Sequence, residues 1–422
     1  MEIFRRTTLS LLLVLLSSSS YAQFQSSAKP PKPPPEEKID YNMLLSQLDL
    51  PQMRQAFLSV WKHGLNPNAY WNEKMEALFS SGGSNDRNLR PLANQAFLRL
   101  LRDIQIGTVD PATVTRDIKL TRKEFLTPKQ LQAVMVAVGH DSVALMNRVA
   151  PQNAPYVAVR EGMQKIYPAC VNGQWTNINP VNSPLRIYSR NPVIVDIKKR
   201  IALLGYKMDN FDDTFDSDLF NAVVDIQWNL RIKPDGEISP KGKIWGFLNI
   251  SCMDRVRQLQ VDMEKMRWFP QYWENRYIFV NLAMNYFILM DNSTQWQRIM
   301  TFRTVNGRPT RKSPTMRDEV VKVIVNPFWI VPPTIFYEDK VNDLKGLSRD
   351  DIKKYFDSHH YEVWNGNFTK KLDPTAVDWS GISKGGPEPD LNIRQLPHLG
   401  NALGVVKFDL TNSFAIYMHD TN

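Results

Sequence analysis

The sequence predicts a multidomain α + β protein: a helical N-terminal scaffold, a small three-helix bundle, and an all-β C-terminal domain carrying a helical insertion. Three observations predict it. The chain has 422 residues with 43% hydrophobic positions, more than one core can use, since single cores stop growing beyond about 250–300 residues. Apolar residues recur at helical spacing as far as residue 269 and at period two afterwards, and such a switch marks a change of element type. Turn chemistry at Ser81-Gly82-Gly83-Ser84, Asp110-Pro111 and Pro234-Asp235-Gly236 punctuates the helical part.

The chain opens with Arg5 and Arg6, the apolar run Leu9 to Leu16, Ser17 to Ser20, and the small-x-small triplet Ser20-Tyr21-Ala22. This predicts a signal peptide over residues 1–22 and export to the periplasm, with an uncleaved N-terminal anchor as the alternative. The run is short of the ~20 residues a spanning helix needs, and none like it follows, so no stable membrane span is expected. No cysteine near residue 22 offers itself for lipidation. Residues 23–40 carry Pro30, Pro31 and Pro33 to Pro35 and predict an extended Pro-rich linker. A net charge of +9 and a pI near 9.3 suit an anionic partner, and export removes nucleic acid from the candidates. Cys170 and Cys252 are the only cysteines. Their spacing supports neither a zinc site nor a disulfide framework, and leaves a single long-range disulfide open.

Residues 41–190 predict a helical scaffold domain, with Leu92, Ala96, Leu100 and Ile104 on one helix face and no cluster of ionisable residues of the kind a catalytic site needs. Residues 191–250 predict three short helices. Ile194, Ile197, Ile201 and Leu204 define the first, which Gly205 stops; Asp216 opens the second, and Ser239-Pro240 the third. Residues 251–274 hold a bridging helix with Val256, Leu259, Met263 and Met266 on one face. From residue 275 the pattern alternates: Ile278, Val280 and Leu282 against Phe279 and Asn281, a turn at Asp291-Asn292-Ser293, and a return strand from Trp296 to Thr304. An insertion at about 339–396 contains Ser348 and Asp351, a capping-box start to a helix ending near Ser358.

Two resemblances attach function to these segments. Ile197 to Tyr206 (IKKRIALLGY), Phe215-Asp216, Ala222 to Gln227 (AVVDIQ), Asp235-Gly236 and Trp245 to Asn249 make residues 191–250 resemble the three-helix peptidoglycan-binding domain. Gly307 to Pro314, Asn326 to Pro333, Asn401 to Gly404 and Ile416 to Thr421, in that order, make residues 275–422 resemble the L,D-transpeptidase catalytic domain. Asp103 to Pro111 fits the larger periplasmic members, in which a comparable insertion caps the active site. The resemblance implies a cysteine thiolate that attacks the carbonyl between meso-diaminopimelate and D-alanine in a peptidoglycan stem peptide. D-Alanine leaves, and the thioester goes on to a 3–3 cross-link. His419 stands at the position of the family's general base. Asn326, Trp329, Asn401 and Asp420 are the substrate-binding candidates, although Trp329, among prolines, reads on its own as a packing residue. Stem peptides are the implied partners, envelope proteins a further class; no cofactor and no metal are implied.

In that family a Ser-x-Gly-Cys motif lies a short loop beyond the histidine, and this sequence ends at Asn422. The catalytic domain is therefore expected to be C-terminally incomplete and the chain as it stands inactive. Neither Cys252, ahead of the bridging helix, nor Cys170 is placed to substitute. A non-catalytic peptidoglycan-binding or scaffolding protein of the envelope is the alternative. There is no His-Glu-x-x-His, no Gly-x-Ser-x-Gly and no phosphate-binding loop, and His359-His360 reads as a solvated loop.

Overall fold

The computed structural model describes residues 39–83, 86–291, 293 and 297–420. The expected signal peptide, all but the last two linker residues, Ser84, Asn292, Trp296 and Thr421 lie outside the described residues.

Among the described residues seven α-helices build the N-terminal part: α1 (Tyr41–Leu45), α2 (Leu50–Ser59), α3 (Glu73–Gly82), α4 (Leu89–Ile106), α5 (Pro128–Ala137), α6 (Ser142–Val149) and α7 (Ala154–Val171). Six of them start where a short polar side chain accepts a backbone N–H of the first turn: Asp40, Asp49, Asn72, Thr127, Asp141 and Asn153. Thr127 adds the reciprocal bond from Gln130, a complete capping box. The buried stripe of α4 runs through Leu89, Ala93, Phe97, Leu100, Leu101 and Ile104, while Leu92 and Ala96 are only partly buried. The expected face is thus the flank of a wider stripe, as befits a helix packed on several neighbours.

The bridging helix is α11 (Cys252–Arg267), and it does more than bridge. Val256 and Met263 are buried in the scaffold core, and a disulfide joins Cys252 to Cys170 on α7 with the Cα atoms 5.6 Å apart. That settles the pairing the sequence left open. The segment between the two cysteines is therefore a loop closed at its base, and it holds α8 (Val193–Leu203), α9 (Ser217–Asn229) and α10 (Lys243–Leu248).

These three helices have their own core of Ile194, Ile197, Ile201, Phe215, Leu219, Val223, Ile226, Ile244, Trp245 and Leu248. Gly205, at φ +102°, ends the first helical segment as expected, and Asp216 caps α9 by accepting the Leu219 N–H at 2.9 Å. The third helix starts later than Ser239-Pro240. Ser239 instead opens a turn, its carbonyl taken by the Gly242 N–H and the Trp245 indole, both at 2.9 Å, and the extended Gly242 is the actual N-cap.

The described residues of the C-terminal part form three antiparallel sheets. β1 (Arg276–Asn281), β2 (Tyr286–Asp291) and β3 (Gln297–Arg303) form a meander with a register shift at Leu289/Met290. The second sheet is ordered β10-β9-β4, from β4 (Val320–Val325), β9 (Val406–Leu410) and β10 (Tyr417–His419). The third is ordered β5-β8-β6-β7, from β5 (Trp329–Ile330), β6 (Tyr361–Asn365), β7 (Lys371–Leu372) and β8 (Leu391–Gln395). Between β5 and β6 lie α12 (Pro333–Ile335), a π-helical turn at Phe336–Lys340, α13 (Val341–Leu344) and α14 (Arg349–Ser358), the last capped by Ser348 as its sequence requires. The insertion thus contributes strands β6, β7 and β8 as well as helices. Its aromatic residues Phe356 and Trp379 share a core with Trp329 and Val331. Among the described residues no helix is long and apolar enough to cross a membrane.

Candidate active site

Four of the candidate site residues, Asn326, Asn401, His419 and Asp420, come together where the β4-β9-β10 sheet meets the loops on either side of it. β4 runs into Asn326, which adopts φ +51°, a left-handed conformation that Asn tolerates better than most residues. Its N–H donates to the Val405 carbonyl at 2.8 Å. Opposite, Asn401 is fully buried. Its amide donates to the carbonyls of Leu396 at 2.9 Å and Pro327 at 3.3 Å and accepts the Leu403 N–H at 2.8 Å. Both amide protons are engaged, so the Asn401 side chain joins the loop after β4 to the loop before β9.

Gly404 follows at φ +62°, and a Cβ built there would stand 2.2 Å from a carboxylate oxygen of Asp420. Only glycine admits that approach. Asp420 uses it to accept the Val406 N–H at 2.8 Å while its own N–H donates to the Val406 carbonyl at 3.2 Å. The backbone N–H groups of Val406 and Val405 hold its carboxyl below the usual carboxylate range. Trp329 stands apart from this group, 8% exposed in the core of the neighbouring sheet.

His419 ends β10, paired with Lys407 of β9, and its side chain is exposed. Its Nδ1 lies 2.7 Å from the Asp420 carbonyl oxygen. A carbonyl can only accept, so Nδ1 carries the proton, and in the neutral ring Nε2 is left with its lone pair. This is the tautomer a general base needs.

The hairpin that carries His419 is held by two residues the sequence reading missed. The Asn412 side chain accepts the N–H groups of Phe414 at 3.0 Å and Ile416 at 3.1 Å and donates to the Ile416 carbonyl at 2.9 Å. Asp318, just ahead of β4, accepts the backbone N–H of Thr411 and of Asn412 at 3.1 Å each, the Asn412 amide at 2.6 Å, and the Thr411 hydroxyl. Partial burial pushes its pKa up, but the bonds from Thr411 and Asn412 outweigh this and leave it below the usual value. The only local signal was an Asn in a turn. Its partner, 94 residues away, is set by the fold.

The helical scaffold reaches the same hairpin. The Lys119 N–H donates to the Thr315 carbonyl and the Thr315 N–H to the Asp117 carbonyl, both at 2.8 Å, and the Lys119 ammonium lies 5.0 Å from the Phe414 ring centre. Gly307 to Pro314 forms a tight loop, in which a Cβ on Gly307 would lie 2.1 Å from the Arg311 carbonyl oxygen, and Arg311 pairs with Glu338 at the start of the insertion. Cys170 and Cys252 are both consumed by their disulfide, so among the described residues there is no free thiol. Nor do the described residues group three His, Cys, Asp or Glu side chains so as to hold a metal ion.

Comparison with known proteins matches three stretches of the chain. Residues 41–163 match a scaffold domain, residues 190–241 a family named for peptidoglycan binding, and residues 275–422 the L,D-transpeptidase catalytic domain. A Haemophilus influenzae protein assigned as an L,D-transpeptidase is 28% identical over 170 residues, 39% of this chain and 31% of that protein. The match therefore spans less than a third of the relative's length. The C-terminal part of the chain is thus similar to the L,D-transpeptidase catalytic domain, and a stretch similar to a peptidoglycan-binding domain lies ahead of it.

Proposed function

We propose that this protein is an acyltransferase of the cell wall. A cysteine thiolate attacks the carbonyl linking meso-diaminopimelate to D-alanine in a tetrapeptide stem, and D-alanine leaves with the proton its amine requires. The resulting thioester passes to the amine of a second stem, giving a 3–3 cross-link and restoring the thiol. His419 is the base that forms the thiolate and then delivers the proton to the leaving amine. The observation that carries this reading is the Nδ1 contact to the Asp420 carbonyl, which leaves Nε2 as the acceptor.

Asn326 and Asp420 shape the backbone beside that base, Asn401 fixes the two loops, and Trp329 packs in the core of the neighbouring sheet. The substrate is the stem peptide, and we place the reaction in the periplasm. The disulfide supports that location, because such bonds persist in oxidising compartments and are rare where thiols are kept reduced.

The reading is tested by release of D-alanine from a tetrapeptide muropeptide. Residues 1–422 alone are expected to release none and to gain no mass on carbapenem treatment, since both need a free thiol. Fused to the family's Ser-x-Gly-Cys segment the protein should release D-alanine, and His419→Ala should slow this by about 10²–10⁴-fold with binding to sacculi intact. Equal rates for the two would remove His419 from the mechanism. The match of residues 190–241 to a peptidoglycan-binding family also suits one other reading, a non-catalytic peptidoglycan-binding or scaffolding protein. A fusion that binds sacculi and stays inert would select it.

A further inference from the structure

On the three-helix bundle an open groove of about 320 Å³ is lined by Tyr206, Lys207, Asp218, Asn221, Ala222 and Asp225. We propose that this groove, walled by Tyr206 and Asp225, is where the chain grips the uncharged glycan strand of peptidoglycan. The inference rests on the peptidoglycan-binding reading of the bundle and adds the site and the ligand's chemical class.

The groove combines the surfaces a sugar ring needs. Tyr206 and the buried Ala222 supply an apolar face for ring C–H groups, and Asp218, Asn221 and Asp225 supply planar acceptors for hydroxyls and an N-acetyl N–H. Lys207 is already paired with Asp209 at 2.8 Å. An anionic ligand would therefore meet Asp218 and Asp225 without a spare cation, which disfavours the carboxylates of a stem peptide and favours the neutral sugar backbone.

The wall is also held in place, so less order has to be imposed on binding. The Tyr206 hydroxyl donates to Asp225 at 2.6 Å, and the Asn229 amide donates to the same carboxylate oxygen at 3.2 Å. Asn229 in turn accepts the Tyr286 hydroxyl of β2 at 3.1 Å. Beside it the Arg303 guanidinium of β3 lies 3.6 Å from the Trp228 ring centre and donates to the Trp228 carbonyl at 2.8 Å. The groove is thus braced by the first sheet of the catalytic domain, which sets a bound strand in a fixed relation to that domain.

The test uses the full chain, with chitotetraose (four β-1,4-linked N-acetylglucosamines) as soluble probe and sacculus pull-down in parallel. Wild type is expected to bind both, and a free stem tetrapeptide to displace neither. Tyr206→Ala should weaken saccharide binding at least tenfold. Asn221→Arg places a long side chain in the groove from an exposed helix position, so it should block binding while the circular dichroism spectrum and melting temperature stay unchanged. If wild type binds sacculi and both variants bind as well as it does, the groove is the wrong site and the peptidoglycan-binding reading stands. If wild type binds neither sacculi nor saccharide, that reading falls and this inference with it. Displacement by the tetrapeptide, with loss in both variants, would overturn the glycan assignment.

Discussion

Asp318 shows how much of a candidate active site can depend on a residue that does no chemistry. Its carboxylate receives four donors from Thr411 and Asn412, and Asn412 closes the turn that leads to His419. Asp318→Ala removes the acceptor for all four, so amides of residues 406–419 should lose about 1–3 kcal/mol of protection against hydrogen exchange. Unchanged protection would show that the hairpin holds itself. The carboxyl is held below its ordinary value, so its contribution is present above the unfolded carboxylate range and is lost as pH falls through the folded pKa. Wild-type protection should therefore drop towards that of the variant in acid.

His63 carries a second residue-scale prediction, with a different pH window. It is fully buried between the Tyr156 hydroxyl and the Asn147 amide oxygen, each at 2.9 Å. Burial lowers its pKa to about 3, the Asn147 bond opposes this, and the nearby cations Arg160, Arg267 and Lys62 lower it further. The folded protein keeps this ring neutral where the unfolded chain protonates it. Stability is thus complete above about pH 6.5 and falls as pH drops from 6.5 towards 3, by on the order of 4–5 kcal/mol at the lower end. Urea midpoints between pH 7 and 4 should show this slope in wild type and a flatter one in His63→Gln. Parallel slopes would assign the acid sensitivity to other groups.

At the scale of elements, the Gly404 turn joins β9 to the site. Its φ of +62° and the 2.2 Å approach of Asp420 to a built Cβ mean that Gly404→Ala must release Asp420 from the Val406 N–H. The fused protein should then lose D-alanine release at least tenfold, while sacculus binding by the separate bundle is retained. Retained activity would mean that the loop relaxes without moving His419. Element type and helix starts were legible in the sequence wherever a cap and a periodic stripe coincided, as at Asp216 with α9 and Ser348 with α14. The third bundle helix was misplaced because Ser239-Pro240 is sound helix-start chemistry locally, and only the tertiary bond from the Trp245 indole takes the Ser239 carbonyl into a turn. His419 was singled out by its flanking motif alone, and its role as base is the proposal tested above. Asp318 and the Arg303–Trp228 contact were not legible, because each pairs residues more than 70 positions apart, and no local pattern encodes that distance.

At the scale of the whole molecule, the Cys170–Cys252 bond closes a loop across 82 residues that contains the entire three-helix bundle. Chain entropy alone assigns such a loop about 4–5 kcal/mol, all of it through the unfolded state. That figure assumes the whole loop unfolds together. The bundle has its own core, so a scaffold that unfolds around a still-folded bundle frees a shorter effective loop and gains less from the crosslink. The stabilisation should accordingly fall mainly on the scaffold, where α7 and α11 pack on each other. In the double variant Cys170→Ser, Cys252→Ser the scaffold transition should move down by about 2–4 kcal/mol. The bundle transition, followed at Trp245, should move by less than about 0.5 kcal/mol, and sacculus binding should persist below both. Equal shifts in the two transitions would show that bundle and scaffold unfold as one unit, and that the disulfide serves the whole assembly rather than the base of the loop.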